Sequence, residues 1–395
     1  MFARKHLMSS KCRHYRSCSG CSSLTTPYAK QLRDKGLALH KIFSGVKVGE
    51  ILPVTASPTQ FAYRSSTKLC LDEDSFGQRR IGLYQAQSKT VVNIPDCPVH
   101  EPGINKLVAR LMTGDGATRL PASFYQHGKR GFQPNRLKFL TIRNSASFQA
   151  AGVILSHTGV DASALLTWAQ QVATDKLAVY GTKLSKDDDT RIIGSEVTHL
   201  AGPRTIPFAV AGRTFHLSPL SFFQANQQLV AEFIRAITSG LSGDTLLDLY
   251  GGFGAYSYAA AGDFRQIYLV DGNADAIEAA AAQSDAPRHL KAIHDSVENF
   301  LARHAAVQRD GARVSAVIIN PPRGGIAAKV SAYFASPTKH ASLKSLTYVS
   351  CNPQTLVRDL KLLMKSGQWQ IDSVHPFDMF PQTEHVEVVA KLSRR

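Results

Sequence analysis

DTLLDLYGGFG, residues 244–254, opens as an apolar run of strand length and closes on a loop of three glycines around a phenylalanine. An Ala- and Tyr-rich stretch of helical character follows it. A short apolar run bounded by glycines reads as a strand buried on both faces. Working outward, the alternation repeats. QIYLVD (266–271) is a second strand and 274–283 an Ala-rich helix; 289–293 is a third strand and 297–304 a helix. VSAVIIN (314–320) is a fourth strand that runs into PPRGG, and 346–351 is a fifth, with a helix over 354–366 behind it. Residues 369–377 and 385–392 close the sheet. Strands alternating with helices predict a doubly wound α/β domain, whose ligands lie beyond the carboxyl ends of the strands.

Upstream the pattern is less regular. Short β-like runs occur at 68–71 and 90–94, a helix is expected over 103–112, and strands over 139–143 and 151–156. The charge run at 186–189 reads as a solvated loop. Three regions follow: 1–100, 101–210 as a mixed α+β unit, and 211–395 as the α/β domain. The net charge is +16, and it is unevenly spread: residues 1–150 hold 23 Lys and Arg against 8 Asp and Glu, and the rest hold 23 against 22. A basic excess confined to one end points to a polyanion, nucleic acid above all. No apolar run reaches about 18 residues, so no membrane span is expected. The basic N-terminal stretch lacks the apolar segment of a secretory signal, which makes the cytoplasm the expected location. Cys12, Cys18 and Cys21 are tightly spaced in such a chain, and read as ligands of a metal or cluster in a reducing compartment rather than as a disulfide framework.

Every chemical motif falls at or just beyond a strand end. The glycines at 251, 252 and 254 let the backbone approach a ligand closely. Asp271, ending the second strand, is placed to accept hydrogen bonds from ribose hydroxyls, which suits either a dinucleotide or S-adenosylmethionine. In Asn320-Pro321-Pro322-Arg323 the prolines stiffen the loop and hold Asn320 extended at the pocket mouth. Cys351, in Ser350-Cys351-Asn352-Pro353, stands at a helix N-terminus, where a thiolate is favoured by the helix dipole. Glu384 and Glu387 offer two carboxylates, and on a strand they face opposite ways.

Together with Ser221-Phe222-Phe223-Gln224-Ala225-Asn226 and His385-Val386-Glu387, these motifs occur in an order that resembles the RNA 5-methyluridine methyltransferase family over nearly the whole chain. The resemblance implies a Rossmann-like class I S-adenosylmethionine-dependent methyltransferase domain, preceded by an iron–sulfur N-terminal region and a mixed α+β central domain. It implies that Gln224, Tyr250, Gly251, Asp271 and Asn320 hold the methyl donor, that Cys351 is the nucleophile and that Glu387 is the base, with Glu384 a bystander. The spacing of Cys12, Cys18 and Cys21, followed by Cys97 in Asp96-Cys97-Pro98, resembles the family's [4Fe-4S] ligand set; thiolates by themselves would suit zinc as well. Cys70 is left as a buried cysteine. Two departures bear on the substrate: Gly251-Gly252 replaces the Cys-Gly of many members, and Asn320 replaces an Asp. The Asn form and the run Phe377-Asp378-Met379-Phe380-Pro381 resemble the branch that methylates the uridine at position 747 of 23S ribosomal RNA, which favours ribosomal over transfer RNA, uridine 54 of the latter being the alternative. The chain begins close to the cysteines, so the extra N-terminal RNA-binding barrel of some relatives is not expected, and a monomer is. Two remoter readings are an N-methyltransferase, which has no use for Cys351 or Glu387, and a non-catalytic iron–sulfur RNA-binding protein.

Overall fold

The computed structural model describes residues 12–74, 76–88, 90–114, 116–125, 134–185, 192–307, 313–336 and 342–395; the loop expected at 186–189 lies outside them. Helix α1 (Tyr28–Phe43) and strand β1 (Val48–Ile51) come first. Then follow β2 (Ser66–Glu73), β3 (Arg79–Tyr84), β4 (Val91–Asn93), α2 (Pro102–Thr113), β5 (Leu137–Ser145), β6 (Ala150–His157), α3 (Ala162–Val172), β7 (Leu177–Lys183) and β8 (Val197–Ala201). A hairpin of β9 (Ile206–Val210) and β10 (Arg213–Leu217) leads to α4 (Gln227–Thr238). The alternating part runs β11 (Gly243–Leu249), α5 (Ala255–Ala259), β12 (Phe264–Asp271), α6 (Ala274–Ala281), β13 (Leu290–His294), α7 (Val297–Val307), β14 (Val314–Ile319), α8 (Ala328–Ala335), β15 (Ser345–Ser350), α9 (Pro353–Met364), β16 (Trp369–Phe377) and β17 (Glu387–Arg394).

The alternating part forms an eight-stranded sheet in the order β1-β16-β17-β15-β14-β11-β12-β13. Strands β13, β12, β11, β14 and β15 are mutually parallel, whereas β17 runs antiparallel between β15 and β16. All six residues of β14 are buried, as a strand covered by helices on both faces demands. The helix behind β15 starts where its sequence says: Pro353 occupies the first turn, and the Asn352 side chain caps it by accepting the Gln354 N–H at 3.1 Å.

The structure departs from the expected regions in two places. Strands β2 to β8 make one seven-stranded sheet, β4-β3-β2-β5-β6-β7-β8, so the line drawn at 100/101 cuts through a continuous sheet. And β1, inside the expected first region, belongs to the eight-stranded sheet, with α1 packed beside it: β1 pairs in parallel with β16, Val48 opposite Ile371. The expected strand 385–392 begins at Glu387, so Glu384 lies in the loop before it and the two acids do not share a strand.

The buried face of α1 explains why its periodicity is weak. It reads Gln31, Lys35, Leu39, Phe43: the spacing is helical, but half the stripe is polar. Leu39 and Phe43 join the apolar core beside Leu360, Leu363 and Trp369. Gln31 and Lys35 clasp the segment between β16 and β17. Lys35 Nζ reaches Asp378 Oδ1 at 2.6 Å and the Phe380 carbonyl at 3.3 Å, with both side chains of the ion pair buried. Gln31 donates to Gln382 Oε1 at 2.9 Å and accepts the Gln382 N–H at 3.0 Å. Removing one member of a buried ion pair leaves the other charge uncompensated, which costs about 3–5 kcal/mol. Lys35→Met is therefore expected to lower the thermal unfolding midpoint markedly, and Lys35→Met with Asp378→Leu to recover most of the loss, as read by differential scanning calorimetry.

Candidate active site

The loop after β11 is shaped by what surrounds it. Tyr250 and Gly252 both have left-handed φ (58° and 57°), and a Cβ on Gly251 would fall 2.7 Å from Asp248 Cγ and against Leu269. Asp248, fully buried beneath the loop, accepts the Ser257 N–H at 3.1 Å and the Ser257 hydroxyl at 2.6 Å on one oxygen. Its other oxygen has no hydrogen-bond partner, and burial pushes its pKa up to about 7. Asp271 latches the loop from the next strand: Oδ2 accepts the Gly252 N–H at 2.9 Å and Oδ1 the Asn273 N–H at 2.8 Å.

Gln224, Tyr250, Gly251 and Asn320 line one narrow cavity with Phe223 and Tyr256. Four of the five residues expected at the methyl donor thus converge. Asp271 does not line this cavity and acts in this structure as the loop's latch. The amides of Gln224 and Asn320, the exposed backbone of the glycine loop and the flanking aromatic rings fit a ligand with a polar amino-acid end and an adenine. Asn320 Nδ2 donates to the Tyr256 hydroxyl at 3.1 Å. Burial raises the pKa of that hydroxyl, and the carboxylates of Asp248 and Glu387 raise it further. Tyr256, which no sequence motif singled out, therefore links the cavity to Glu387.

Cys351 and Glu387 are brought together by strand register. The antiparallel pairing of β15 with β17 ends at Ser350 opposite Val388; one step further on, Cys351 stands opposite Glu387. Opposed residues in an antiparallel pair project to the same face, and the Glu387 charge raises the pKa of the Cys351 thiol. Glu387 is 5% exposed, and burial pushes its pKa up to about 8 against the opposing charge of Arg323. The Cys351 pKa is raised, chiefly by burial and then by Glu387, with the Arg323 charge and its hydrogen bond to the thiol acting the other way. Arg323 and a backbone hydrogen bond favour the thiolate against this desolvation. Cys351, Arg323, Lys35, Glu384 and His385 line a second cavity of about 390 Å³. Glu384 is exposed at its edge.

Residues 206–395 match the family model for tRNA (uracil-5-)-methyltransferases. Two relatives described as uncharacterized RNA methyltransferases align along almost all of the chain. That of Geobacter sulfurreducens is 29% identical, over 100% of this chain and 79% of its own length, and that of Thermotoga maritima 28%, over 96% and 84%. The family match and these relatives together support an RNA 5-methyluridine methyltransferase family for this chain. Members of that family are S-adenosylmethionine-dependent transferases, and so is this enzyme. The fold is similar to that of Pyrococcus abyssi tRNA (uracil-54, C5)-methyltransferase in complex with S-adenosyl-L-homocysteine, with a TM-score of 0.67 and 23% identity over 95% of this chain and 86% of that one.

The four cysteines expected as cluster ligands come together from distant positions: Cys12, Cys18, Cys21 and Cys97 line one cavity of about 480 Å³ in the methyltransferase. None is in a disulfide, and burial raises the pKa of Cys18, Cys21 and Cys97, that of Cys21 to about 12. Among the described residues, no group of three or more His, Cys, Asp and Glu is gathered closely enough to grip a single metal ion. Cys70 is buried elsewhere, beside Val91 and Phe139. No described helix is long and apolar enough to cross a membrane.

A carboxyl group whose folded pKa lies above its unfolded value binds more protons when folded, so stability falls as pH rises between the two. For Glu387 that window runs from about 4.5 to about 8. Glu387→Gln is expected to be more stable than the parent by on the order of 3 kcal/mol at about pH 9, with little difference at about pH 4.5, as read by thermal unfolding at the two pH values.

Proposed function

We propose that this enzyme methylates C5 of a single uridine in 23S ribosomal RNA, of the position-747 type, through a covalent bond from Cys351 to C6. The observation that carries the reading is that the β15–β17 ladder, paired as far as Ser350 and Val388, brings Cys351 and Glu387 to one end of the sheet, with Arg323 beside Cys351 in the cavity that the thiol lines. S-adenosylmethionine, when bound, supplies an electrophilic methyl group on a sulfonium. Uridine C5 is too weak a nucleophile to take it unaided. Cys351, deprotonated beside Arg323, adds its sulfur to C6; the electron pair of the C5–C6 double bond moves towards the O4 carbonyl, and C5 becomes enolate-like and takes the methyl. Glu387 then removes the C5 proton, the double bond re-forms, and the C6–S bond breaks to return the thiolate. Burial fits Glu387 for this: a carboxylate with a pKa near 8 is a stronger base than one in water. Gln224, Tyr250, Gly251 and Asn320 hold the methyl donor, and Asp271 supports them through the loop. For C5 and C6 to be reached from both faces, the base must leave its stack.

Cys12, Cys18, Cys21 and Cys97 would hold a [4Fe-4S] cluster that cross-links the N-terminal segment to the region before α2. Its role is structural, and no step of the methyl transfer passes through it. The enzyme works as a monomer in the cytoplasm.

Cys351→Ala is expected to abolish methylation and to form no denaturation-resistant adduct with 5-fluorouridine RNA. Glu387→Gln should form the adduct, transfer methyl and fail to release product, so that a covalent protein–RNA species accumulates on denaturing gels; a trap appearing with Glu384→Gln instead would move the base. Mapping 5-methyluridine in total RNA from cells with and without the gene should show one site lost from 23S ribosomal RNA; loss from transfer RNA would reassign the substrate. Anaerobically purified protein should be brown, with iron and sulfide in the ratio of a [4Fe-4S] cluster, whereas stoichiometric zinc would exclude it.

A further inference from the structure

The cavity that gathers the four cysteines has a second wall. Arg64, Lys68, Arg143 and Arg323 line it, and among the described residues no carboxylate does. The four cations come from separate parts of the chain: the segment before β2, β2 itself, β5 and the loop after β14. In the β2–β5 pairing Ser66 lies opposite Arg143 and Lys68 opposite Thr141, so Lys68 and Arg143 are diagonal neighbours on one face. Among the described residues none of the four makes an ion pair. Arg143 gives its hydrogen bonds to neutral oxygens, Ser66 Oγ at 2.7 Å and the Pro219 carbonyl at 3.2 Å. Arg64 likewise donates to the Ser66 carbonyl at 3.0 Å.

Like charges around one void repel each other; Arg323 also faces Cys351 and Glu387, whereas Arg64, Lys68 and Arg143 form no ion pair among the described residues. Burial lowers the Lys68 pKa, and the charges of Arg143, Arg323 and Arg64 lower it further; burial brings Arg143 to about 10. An anion entering the void relieves both effects at once. Arg323 says where that anion comes from, because it also lines the cavity of Cys351. A strand delivering its base to Cys351 would carry its neighbouring phosphates past Arg323 and into the basic void.

We propose that Arg64, Lys68, Arg143 and Arg323 form a clamp for the phosphodiesters that flank the target uridine. The clamp rests on the reading of this chain as an RNA uridine methyltransferase and adds which groups grip the strand beside the flipped base. It positions the nucleotide and carries no base specificity.

The test is a mutant cycle between protein and RNA. The probes are a synthetic hairpin of 23S ribosomal RNA centred on the position-747 uridine, and the same hairpin with the linkage 5′ or 3′ of that uridine replaced by a neutral methylphosphonate. Binding to the intact enzyme, Lys68→Met and Arg143→Gln is measured over a range of salt, with S-adenosylmethionine binding as the control for folding. The neutral linkage on at least one side should weaken binding to the parent enzyme about tenfold or more. Each substitution should weaken binding of the all-phosphate hairpin comparably and reduce the slope of log K against log salt by about one. Substitution and neutral linkage combined should cost much less than the product of the two factors. If the factors multiply, the clamp is wrong. If the substitutions instead lower iron content and leave the linkage effect untouched, the cations serve the cysteine site and the clamp is likewise wrong. Failure of the parent enzyme to methylate the all-phosphate hairpin would sink the functional reading, and the clamp with it, and is read separately from binding.

Discussion

The chemistry depends on one reversed strand. Five parallel strands bring the glycine loop, Asn320 and Cys351 to a common edge, because each motif follows the carboxyl end of its strand. A sixth parallel strand would have sent its first residue to the opposite edge. β17 runs the other way, between β15 and β16, so its amino end arrives at the edge where β15 finishes. The same hydrogen-bonded ladder that stabilises the sheet therefore sets Glu387 opposite Cys351. A slip of one residue in this register would turn Glu387 to the other face and leave the thiol with Val386 or Val388 across from it. Position of the base relative to the nucleophile is in this sense a property of the core, not of a flexible loop.

Burial then tunes the two groups against their resting charges. Both the thiol and the carboxyl are held towards their neutral forms by burial, and an ionised Glu387 raises the thiol's pKa further. Arg323 is the counterweight to both. The stiff Asn320-Pro321-Pro322-Arg323 loop places it; its carbonyl oxygen accepts from Thr355 and Asn352 of the facing helix start. One cation serving two anions in turn matches a sequence in which the thiolate is consumed on forming the adduct before the carboxylate acts, so that the site need not hold two uncompensated negative charges together.

Much of this was legible in the chain, and the exceptions share a cause. β11, β14 and β15 announce themselves as short apolar runs ending in chemical residues, because a strand largely buried on both faces has little polar alternation to blur it. Tyr250, Gly251, Asn320 and Cys351 lie at or just beyond those ends, whereas Gln224 was indicated only by the family resemblance of the Ser221–Asn226 segment. What could not be read was non-local. β1 joins β16 across more than three hundred residues, and its four residues, VGEI, carry no signal of the partner. α1 hides because Gln31 and Lys35 occupy half of its inward stripe. The basic wall draws on positions 64, 68, 143 and 323, which look like scattered surface charges until the two sheets are assembled. The excess of Lys and Arg in the first 150 residues indicated a polyanion, but not where it would lie.

The two unread elements are also the ones that tie the halves of the molecule together, and this suggests why half of α1's inward face is polar. An apolar stripe throughout would bind α1 to the core as firmly, and at lower desolvation cost, than a buried Lys–Asp pair does. It would not define the path of the 378–387 segment, whose backbone groups need partners once they leave the sheet. Gln31 satisfies both an N–H and a side-chain carbonyl of Gln382, a residue held in a left-handed conformation at φ 69°. Tyr63, on the way to β2, donates to the Pro381 carbonyl at 3.0 Å, and the Ser23 N–H to the Gln382 carbonyl at 2.9 Å. Residues close to the cysteines thus hold, by directional bonds, the chain that leads into Glu387. Apolar packing alone would tolerate small displacements there; hydrogen bonds of fixed geometry do not. The N-terminal region gives the catalytic edge this definition while it lines the cavity beside it.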